Sequence, residues 1–267
     1  MLFPFSFLKT GGFDPDAQAY IDRVYTAGGT LTNTEANAVN QLTIDMKAAN
    51  VWTAMKAVYP MIGSSAAACA QNLVSSSFTG TFSSGWTFAS TGVTPNGTSA
   101  FMNTTFNPTT SLTYNSGYFS FYSRTNNTTG IDDISATSGG DNPNMRLIIN
   151  LGGTLYCDFN SSGVRVSAAN ANSLGFYQSS RTSSTSIKVF KNNTTLGTNT
   201  NTNISIGQPN FPLYIGASDF GGTTANNFSN RECAFASIGD GLTDTQASNF
   251  YTAVQTFQTT LSRAIAP

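Results

Sequence analysis

The sequence has no histidine, only two glutamates, and few charges of either sign: 9% of its 267 residues are charged and the net charge is −1. Without histidine, Ser-His-Asp and Cys-His nucleophilic centres are excluded, as are histidine metal sites. Glycoside hydrolysis needs two carboxyl groups placed across one bond. Glu35 and Glu232 stand in different segments, so no glutamate pair is evident. The 12 basic residues are scattered singly from Lys9 to Arg263. Nucleic-acid binding, which needs clustered cations to displace phosphate counterions, is therefore not expected.

Long hydrophobic runs are also missing. A membrane-spanning helix needs roughly 20 consecutive apolar residues, and the most apolar stretch, Met1 to Leu8, is far shorter. It is interrupted by Pro4 and shows no small-residue cleavage pattern, which reads as an uncleaved N-terminal arm in need of a partner surface. The three cysteines, Cys69, Cys157 and Cys233, are an odd set without CxxC spacing. They are expected as free thiols, Cys157 and Cys233 acting as small core hydrophobes, and they place folding in a reducing cytoplasm. No cofactor is implied.

What remains is a chain rich in Asn, Thr, Ser and aromatic residues, with 39% hydrophobic content. Its first seventy residues read as helical. Asp14-Pro15-Asp16 supplies an N-cap, a proline at the first turn and an acid at the positive helix end, with Ala17, Ile21 and Val24 on one face and Gly28-Gly29 as the stop. Thr32-x-x-Glu35 is a capping box with Leu31 as staple, leading into Val39, Leu42, Met46 and Ala49. Trp52, Met55 and Tyr59 continue that spacing, which predicts a helix running to Pro60. The small, polar stretch from Ser64 to Ser77 reads as a surface connector. Residues 1–74 are thus expected to form an arm and helical docking module, and residues 75–267 a separate unit.

From Phe78 the period changes. Phe78 to Phe82, Gly117 to Ser123, Met145 to Leu151, Leu155 to Phe159 and Ser186 to Lys191 are short and rich in aromatic and β-branched residues, with Gly, Asn, Ser and Pro clusters between them. Ile187 and Val189 alternate with Lys188 and Phe190, as a half-buried antiparallel sheet requires, and Asn192-Asn193 suits a tight hairpin turn. The expected fold is mainly β, an antiparallel jelly-roll β-sandwich with the N-terminal helices and one C-terminal helix. That last helix starts at the capping box Thr243-x-x-Gln246, with Leu242 as staple, and carries Ala247, Phe250, Tyr251, Val254, Phe257 and Leu261 as its stripe.

Three stretches carry a family resemblance. Ile187-Lys-Val-Phe-Lys-Asn-Asn, Pro212-Leu-Tyr-Ile-Gly-Ala and Ala234-Phe-Ala-Ser-Ile-Gly-Asp-Gly-Leu-Thr-Asp-Thr-Gln-Ala together resemble the closing half of concanavalin A-like or laminin G-like lectin domains. The Asp14-Pro-Asp-Ala-Gln-Ala-Tyr-Ile opening, the Trp52-Thr-Ala-Met-Lys-Ala-Val-Tyr-Pro segment and the Asn230-Arg-Glu-Cys-Ala-Phe-Ala-Ser-Ile-Gly-Asp-Gly-Leu-Thr-Asp close also look like lectin-fold proteins of tailed bacteriophages. That resemblance implies a virion structural protein, of tail, spike, fibre or capsid decoration. It would be assembled in the host bacterial cytoplasm, contact other virion proteins and its own copies, and turn the sandwich outward toward a host surface glycan. A dedicated carbohydrate-binding, receptor-binding module is the alternative, and a glycan-degrading enzyme a third class. Glucanases among related sandwiches carry an E-x-D-x-x-E strand pattern that this sequence lacks.

The residues themselves mark two sorts of candidate. Asp132-Asp133 with Asp141, and Asp219 beside Gly221-Gly222, offer carboxylates in loops of the kind that hold calcium. Their spacing matches no calcium loop, so they are expected as solvated loop acids and no metal ligand is assigned. Trp86, Tyr114, Tyr177 and Phe228 lie in or beside polar loops and are the rings that could stack on a sugar. No catalytic residue is expected.

Overall fold

The computed structural model describes residues 12–129, 131–138, 143–202 and 207–266, apart from the side chain of Ser162. The expected arm Met1 to Leu8 lies outside these residues. The fold is a sandwich of two β-sheets with helices layered on one of them, eight strands in one sheet and nine in the other among the described residues.

Both predicted helix starts form. Pro15–Thr26 is capped by the Asp14 side chain, and Asn33–Ala48 by the reciprocal Thr32 and Glu35 capping box. The second helix ends earlier than its apolar spacing predicts. Asn50 adopts φ 55°, a left-handed conformation that terminates helices and that asparagine tolerates. After a short 3₁₀ turn, Met55–Tyr59 is a β-strand, antiparallel to Cys233–Gly239. Met55 and Val58 face the helices while Ala57 and Tyr59 face the sandwich core. A strand buried on both sides is apolar at nearly every position, so it can imitate a helical stripe.

The stretch from Ser64 to Ser77 is likewise not a surface connector. It contains the helical turn Ala66–Cys69, and Asn72 and Leu73 are buried. Asn72 Oδ1 accepts from the Val58 N–H at 2.8 Å and its Nδ2 donates to Lys56 O and Ser77 O at 3.0 and 2.9 Å. A buried amide with these partners fastens the segment to the strand Met55–Tyr59, so this part of the N-terminal region is hydrogen-bonded into the sandwich.

The middle sheet runs, in spatial order, through Thr194–Asn199, Ser186–Lys191, Gly175–Ser183, Gly117–Ser123, Cys233–Gly239, Gly92–Pro95 and Trp86–Ala89. The Asn192-Asn193 turn forms with both residues at positive φ. Its central strands, Gly117–Ser123 and Cys233–Gly239, are buried on both faces rather than one. In Gly117–Ser123, Phe119 and Phe121 enter the core between the sheets while Tyr118 and Tyr122 enter the core beneath the helices. Phe190, expected to face outward, is 6% exposed and belongs to that helix-side core.

The C-terminal helix Asp244–Thr260 makes the cover. Its Thr243 and Gln246 capping box forms as predicted, and Phe250 packs edge-on or tilted against Tyr118, Phe176 and Phe235. The second helix packs beside it. The buried Arg263, just beyond the helix, donates to the carbonyls of Pro60, Met61 and Ala234, tying the chain end to the middle sheet.

The outer sheet runs through Ser161–Ala169, Thr154–Phe159, Asn144–Leu151, Ile134–Thr137, Tyr214–Ile215, Met102–Asn103 and Thr81–Phe82, with the hairpin of Ser218–Phe220 and Thr224–Asn226 attached to Ile134–Thr137. That attachment is parallel and the other described pairings are antiparallel. Met145, Leu147, Ile149, Leu155, Cys157, Phe159, Val164 and Val166 face the inter-sheet core. All three cysteines are buried free thiols, as expected.

Candidate binding face of the outer sheet

Alternation along a strand sends every second side chain to the opposite face. In the outer sheet, Arg146 stands between the core residues Met145 and Leu147, Tyr156 between Leu155 and Cys157, Asp158 between Cys157 and Phe159, and Arg165 between Val164 and Val166. All four therefore point away from the core, on the side that the helices do not cover. Register then assembles them. Arg146 lies opposite Asp158, and Tyr156 opposite Ile148. Farther along, Tyr214 lies opposite both Ser135 and Asn103, and Asn103 opposite Thr81, making a polar row across neighbouring strands.

The charged groups are paired within the face. Arg146 Nε donates to Asp132 Oδ1 at 3.0 Å, and Asn227 Nδ2 donates to Asp132 Oδ2 at 3.1 Å. Arg165 grips Asp158 in a fork, Nε to Oδ1 at 2.8 Å and Nη2 to Oδ2 at 2.7 Å. The same guanidinium lies 5.3 Å from the Tyr156 ring centroid, within cation–π range. Side-chain exposure is 0% for both carboxylates but 13% for Arg146 and 28% for Arg165. Solvent thus meets guanidinium edges and rings, with the acids beneath. Burial pushes Asp132 up to about 6 despite the lowering effect of Arg146. At the other end of the face, Tyr214 stacks on Phe101 with centroids 4.6 Å apart and planes 15° from parallel, both rings half-buried.

The candidates read from the sequence fall elsewhere or change character. Tyr177 is fully buried in the inter-sheet core, its hydroxyl accepting from Asn170 and donating to Asn172 O, so it is no sugar platform. Trp86 is half-buried and packs edge-on against Phe82, its Nε1 donating to Phe101 O. Tyr114 is half-buried with the Arg181 guanidinium 5.3 Å from its ring, and Phe228 is half-buried in the loop before Ser229.

The loop acids are not solvated. Asp132 and Asp133 have no exposure and Asp219 has 1%. Asp133 is held by Arg231 Nη1 at 3.1 and 3.0 Å, by Ser229 Oγ at 2.9 Å and by the Ile149 N–H at 2.9 Å, a structural ion pair with no spare capacity. Burial pushes Asp219 up to about 6. Neither of its oxygens has a well-formed hydrogen bond, although the Gly222 backbone amide offsets part of the effect. Asp141 lies outside the described residues. Among the described residues, no three His, Cys, Asp or Glu side chains gather as a metal site would require.

Both glutamates have structural work. Glu35 Oε2 accepts from the Thr32 N–H at 2.8 Å and its Oε1 from the Gly63 N–H at 2.8 Å, while Glu232 faces Arg124 at 3.6 Å. A cleft of about 450 Å³ on the helix side is lined by Thr30, Glu35, Gly63, Ser90, Thr260 and Ser262, but its one carboxylate is the one committed to the capping box.

Arg146, Tyr156, Asp158 and Arg165 were not singled out by sequence reasoning. Their signal is a charged or polar residue set between two core residues of a strand, as in Met145-Arg-Leu and Leu155-Tyr-Cys-Asp-Phe. That pattern says a side chain faces away from the core; register alone says which others it meets.

No protein-family model and no curated protein matches this sequence. Among solved structures, the chain is similar to domain 4 of AbnA, a GH43 extracellular arabinanase from Geobacillus stearothermophilus, in complex with arabinotriose. The two share 12% identity over 73% of this chain and 97% of that one, with a TM-score of 0.51. It is also similar to botulinum neurotoxin type C, whose cell entry is described as dependent on interaction with two ganglioside molecules. There the identity is 11% over 78% of this chain and 53% of that one, with a TM-score of 0.57, so this chain spans about half of that structure. At such identities the likeness concerns the fold alone, and by fold the chain is a mainly antiparallel jelly-roll β-sandwich.

Proposed function

We propose that this protein is a non-enzymatic carbohydrate-binding protein that holds its ligand on the outer-sheet face formed by Arg146, Tyr156, Arg165 and Tyr214. The observation that carries the reading is the difference between the two sheets. One is sealed beneath helices, whereas the other places half-exposed rings beside guanidinium donors held in position by buried carboxylates. Rings stack on the apolar faces of sugars and oriented N–H groups meet their hydroxyls, a combination general to sugar sites. Its similarity in fold to sandwiches solved with an oligosaccharide, or described with gangliosides, supports the same reading. The commitment of both glutamates to structural partners, and the absence of histidine, support a role without catalysis.

A glycan array probed with the intact protein tests this. Binding is expected, and Tyr156→Ala or Tyr214→Ala should weaken it about tenfold, roughly 1.4 kcal/mol, with the thermal midpoint little changed. Uniformly negative arrays would remove the reading.

The wider setting we propose is a bacteriophage particle, as the sequence resemblance implies. Phe13, at the start of the described chain, packs into the helix-side core, on the opposite side of the molecule from the outer-sheet face. A subunit attached through its N-terminal segment to other virion proteins or to its own copies would therefore present the candidate face outward. Mass spectrometry of purified particles should find the protein at many copies; its presence in lysate alone would contradict this setting.

A further inference from the structure

We infer that the strand Trp86–Ala89 pairs antiparallel with the same strand of a second copy of this chain, joining the two middle sheets into one across a twofold axis. This adds a contact between copies to the setting proposed above, and it rests neither on that setting nor on the carbohydrate reading.

The two sides of the sandwich end differently. On one side the edge strands meet. Gly197 of Thr194–Asn199 lies so near Val166 that a Cβ there would stand 2.6 Å from it, and Asn199 Nδ2 donates to Arg165 O at 2.9 Å. On the other side Trp86–Ala89 ends the middle sheet and Thr81–Phe82 the outer one, with no strand beyond either among the described residues.

The backbone at this edge is free to pair. Pro95, opposite Trp86, has no N–H to give, so that pair is of the non-bonded kind, and alternation makes Phe88–Val93 non-bonded as well. The N–H and C=O groups of Trp86 and Phe88 therefore turn to the open side, where no backbone group among the described residues bonds to them. Such an edge is a template for a further strand, and proteins that keep it unpaired guard it with a charge, a proline or a bulge. Trp86–Ala89 is short, but it carries none of these, and its register with Gly92–Pro95 is unbroken.

Self-complementarity identifies the occupant. Trp86 and Phe88 face the inter-sheet core but stay half-buried, with Phe82 edge-on to both at centroid distances of 5.1 and 5.0 Å, whereas Thr87 is exposed. An antiparallel pair that sets Thr87 opposite the partner's Thr87 also sets Trp86 opposite the partner's Phe88, on both sides of the axis. The unpaired N–H and C=O groups of these residues then face one another, as bonded pairs require. The half-buried rings of each edge cover those of the other. No charged residue stands between Lys56 and Arg124, so this surface meets its own copy without like-charge repulsion, and a twofold contact closes at two subunits.

Light scattering on the intact protein during size exclusion tests the inference, over about a hundredfold range of concentration. A mass twice that of the chain is expected. In the proposed pair the two Thr87 Cα atoms stand about 4.5 Å apart. Thr87→Lys and Thr87→Glu should therefore each weaken the dimer about tenfold or more, with the thermal midpoint little changed because the position is exposed. Mixing the two variants should restore the dimer, since opposite charges then meet on the axis, and native mass spectrometry should find one of each chain in it. Ile44→Lys, exposed on the second helix, is the control and should leave the dimer intact. A monomer at every concentration overturns the inference. So does a dimer indifferent to both Thr87 variants, or one split equally by Ile44→Lys. A mixture that stays monomeric overturns it too, because the Thr87 side chains then do not meet across a twofold axis. None of these results bears on the carbohydrate reading, which the glycan array tests separately.

Discussion

Arg146 stands directly across the ladder from Asp158, and its Nε donates at 3.0 Å to Asp132, a carboxylate with no solvent exposure. The guanidinium therefore bridges the end of one strand pair and the loop before the next strand. Burial pushes the Asp132 carboxyl up to about 6. As pH falls below 6, Asp132 takes up a proton and its ion pair with Arg146 is lost. Because this pKa stands above the ordinary carboxylate value, the folded state gains stability as pH falls from 6 toward 4, and Asp132→Asn should remove that part of the thermal midpoint's pH dependence in scanning fluorimetry.

Asp219 leads to a second expectation. Its pKa is raised by burial from the ordinary carboxylate value to about 6, so the folded state favours the protonated acid more than the unfolded state does. The sign follows: this contribution to stability is complete below about pH 4 and is lost as pH rises through 6. Replacing the acid by its neutral isostere, Asp219→Asn, should raise the thermal midpoint near pH 7.5 by about 5 °C. It should also flatten the midpoint's dependence on pH between 4 and 7, as differential scanning fluorimetry would show.

Arg231 and Asp133 form an ion pair in which neither side chain is exposed. Removing one member leaves an uncompensated charge in the interior. Arg231→Met is expected to cost about 3–5 kcal/mol in urea unfolding. The double variant with Asp133→Leu should be less destabilised than the sum of the single changes, because the second substitution removes the charge the first one stranded.

The cap of the C-terminal helix is a smaller and cleaner test. Thr243 accepts from the Gln246 N–H while the Gln246 side chain accepts from the Thr243 N–H at 3.0 Å. Thr243→Ala should cost about 1 kcal/mol. Because Phe250 and Phe257 of the same helix cover the middle sheet, the loss should appear in global unfolding rather than as local fraying.

Much of this molecule is local chemistry and could be read without coordinates. Asp14, Thr32 and Thr243 each start a helix because a side-chain oxygen must satisfy orphan backbone amides, a requirement met within four residues. Gly117–Ser123 and Ser186–Lys191 appear at their predicted bounds because aromatic and β-branched residues bounded by turn formers favour extended chain. The errors have a shared cause. Met55–Tyr59 was expected as helix and Asn72 as surface because their surroundings are supplied by Cys233–Gly239 and by their own neighbours folded back, contacts that no local pattern encodes.

The candidate face shows the same division. The alternation of Arg146, Tyr156 and Asp158 with Met145, Leu147 and Cys157 is legible in the sequence, but only the layer order shows which side of those strands is the core. The sequence itself determined which residues start the helices and that the chain is mainly β. Only the tertiary structure decided that Tyr177 is core rather than platform, and that Asp132, Asp133 and Asp219 are buried rather than solvated. It alone chose which of the two sheets the helices cover. Those outcomes depend on strand register and layer order, which are set by packing between segments as far apart in the chain as Met55 and Gly239, whereas caps, turns and alternation are settled within a few residues of the chain.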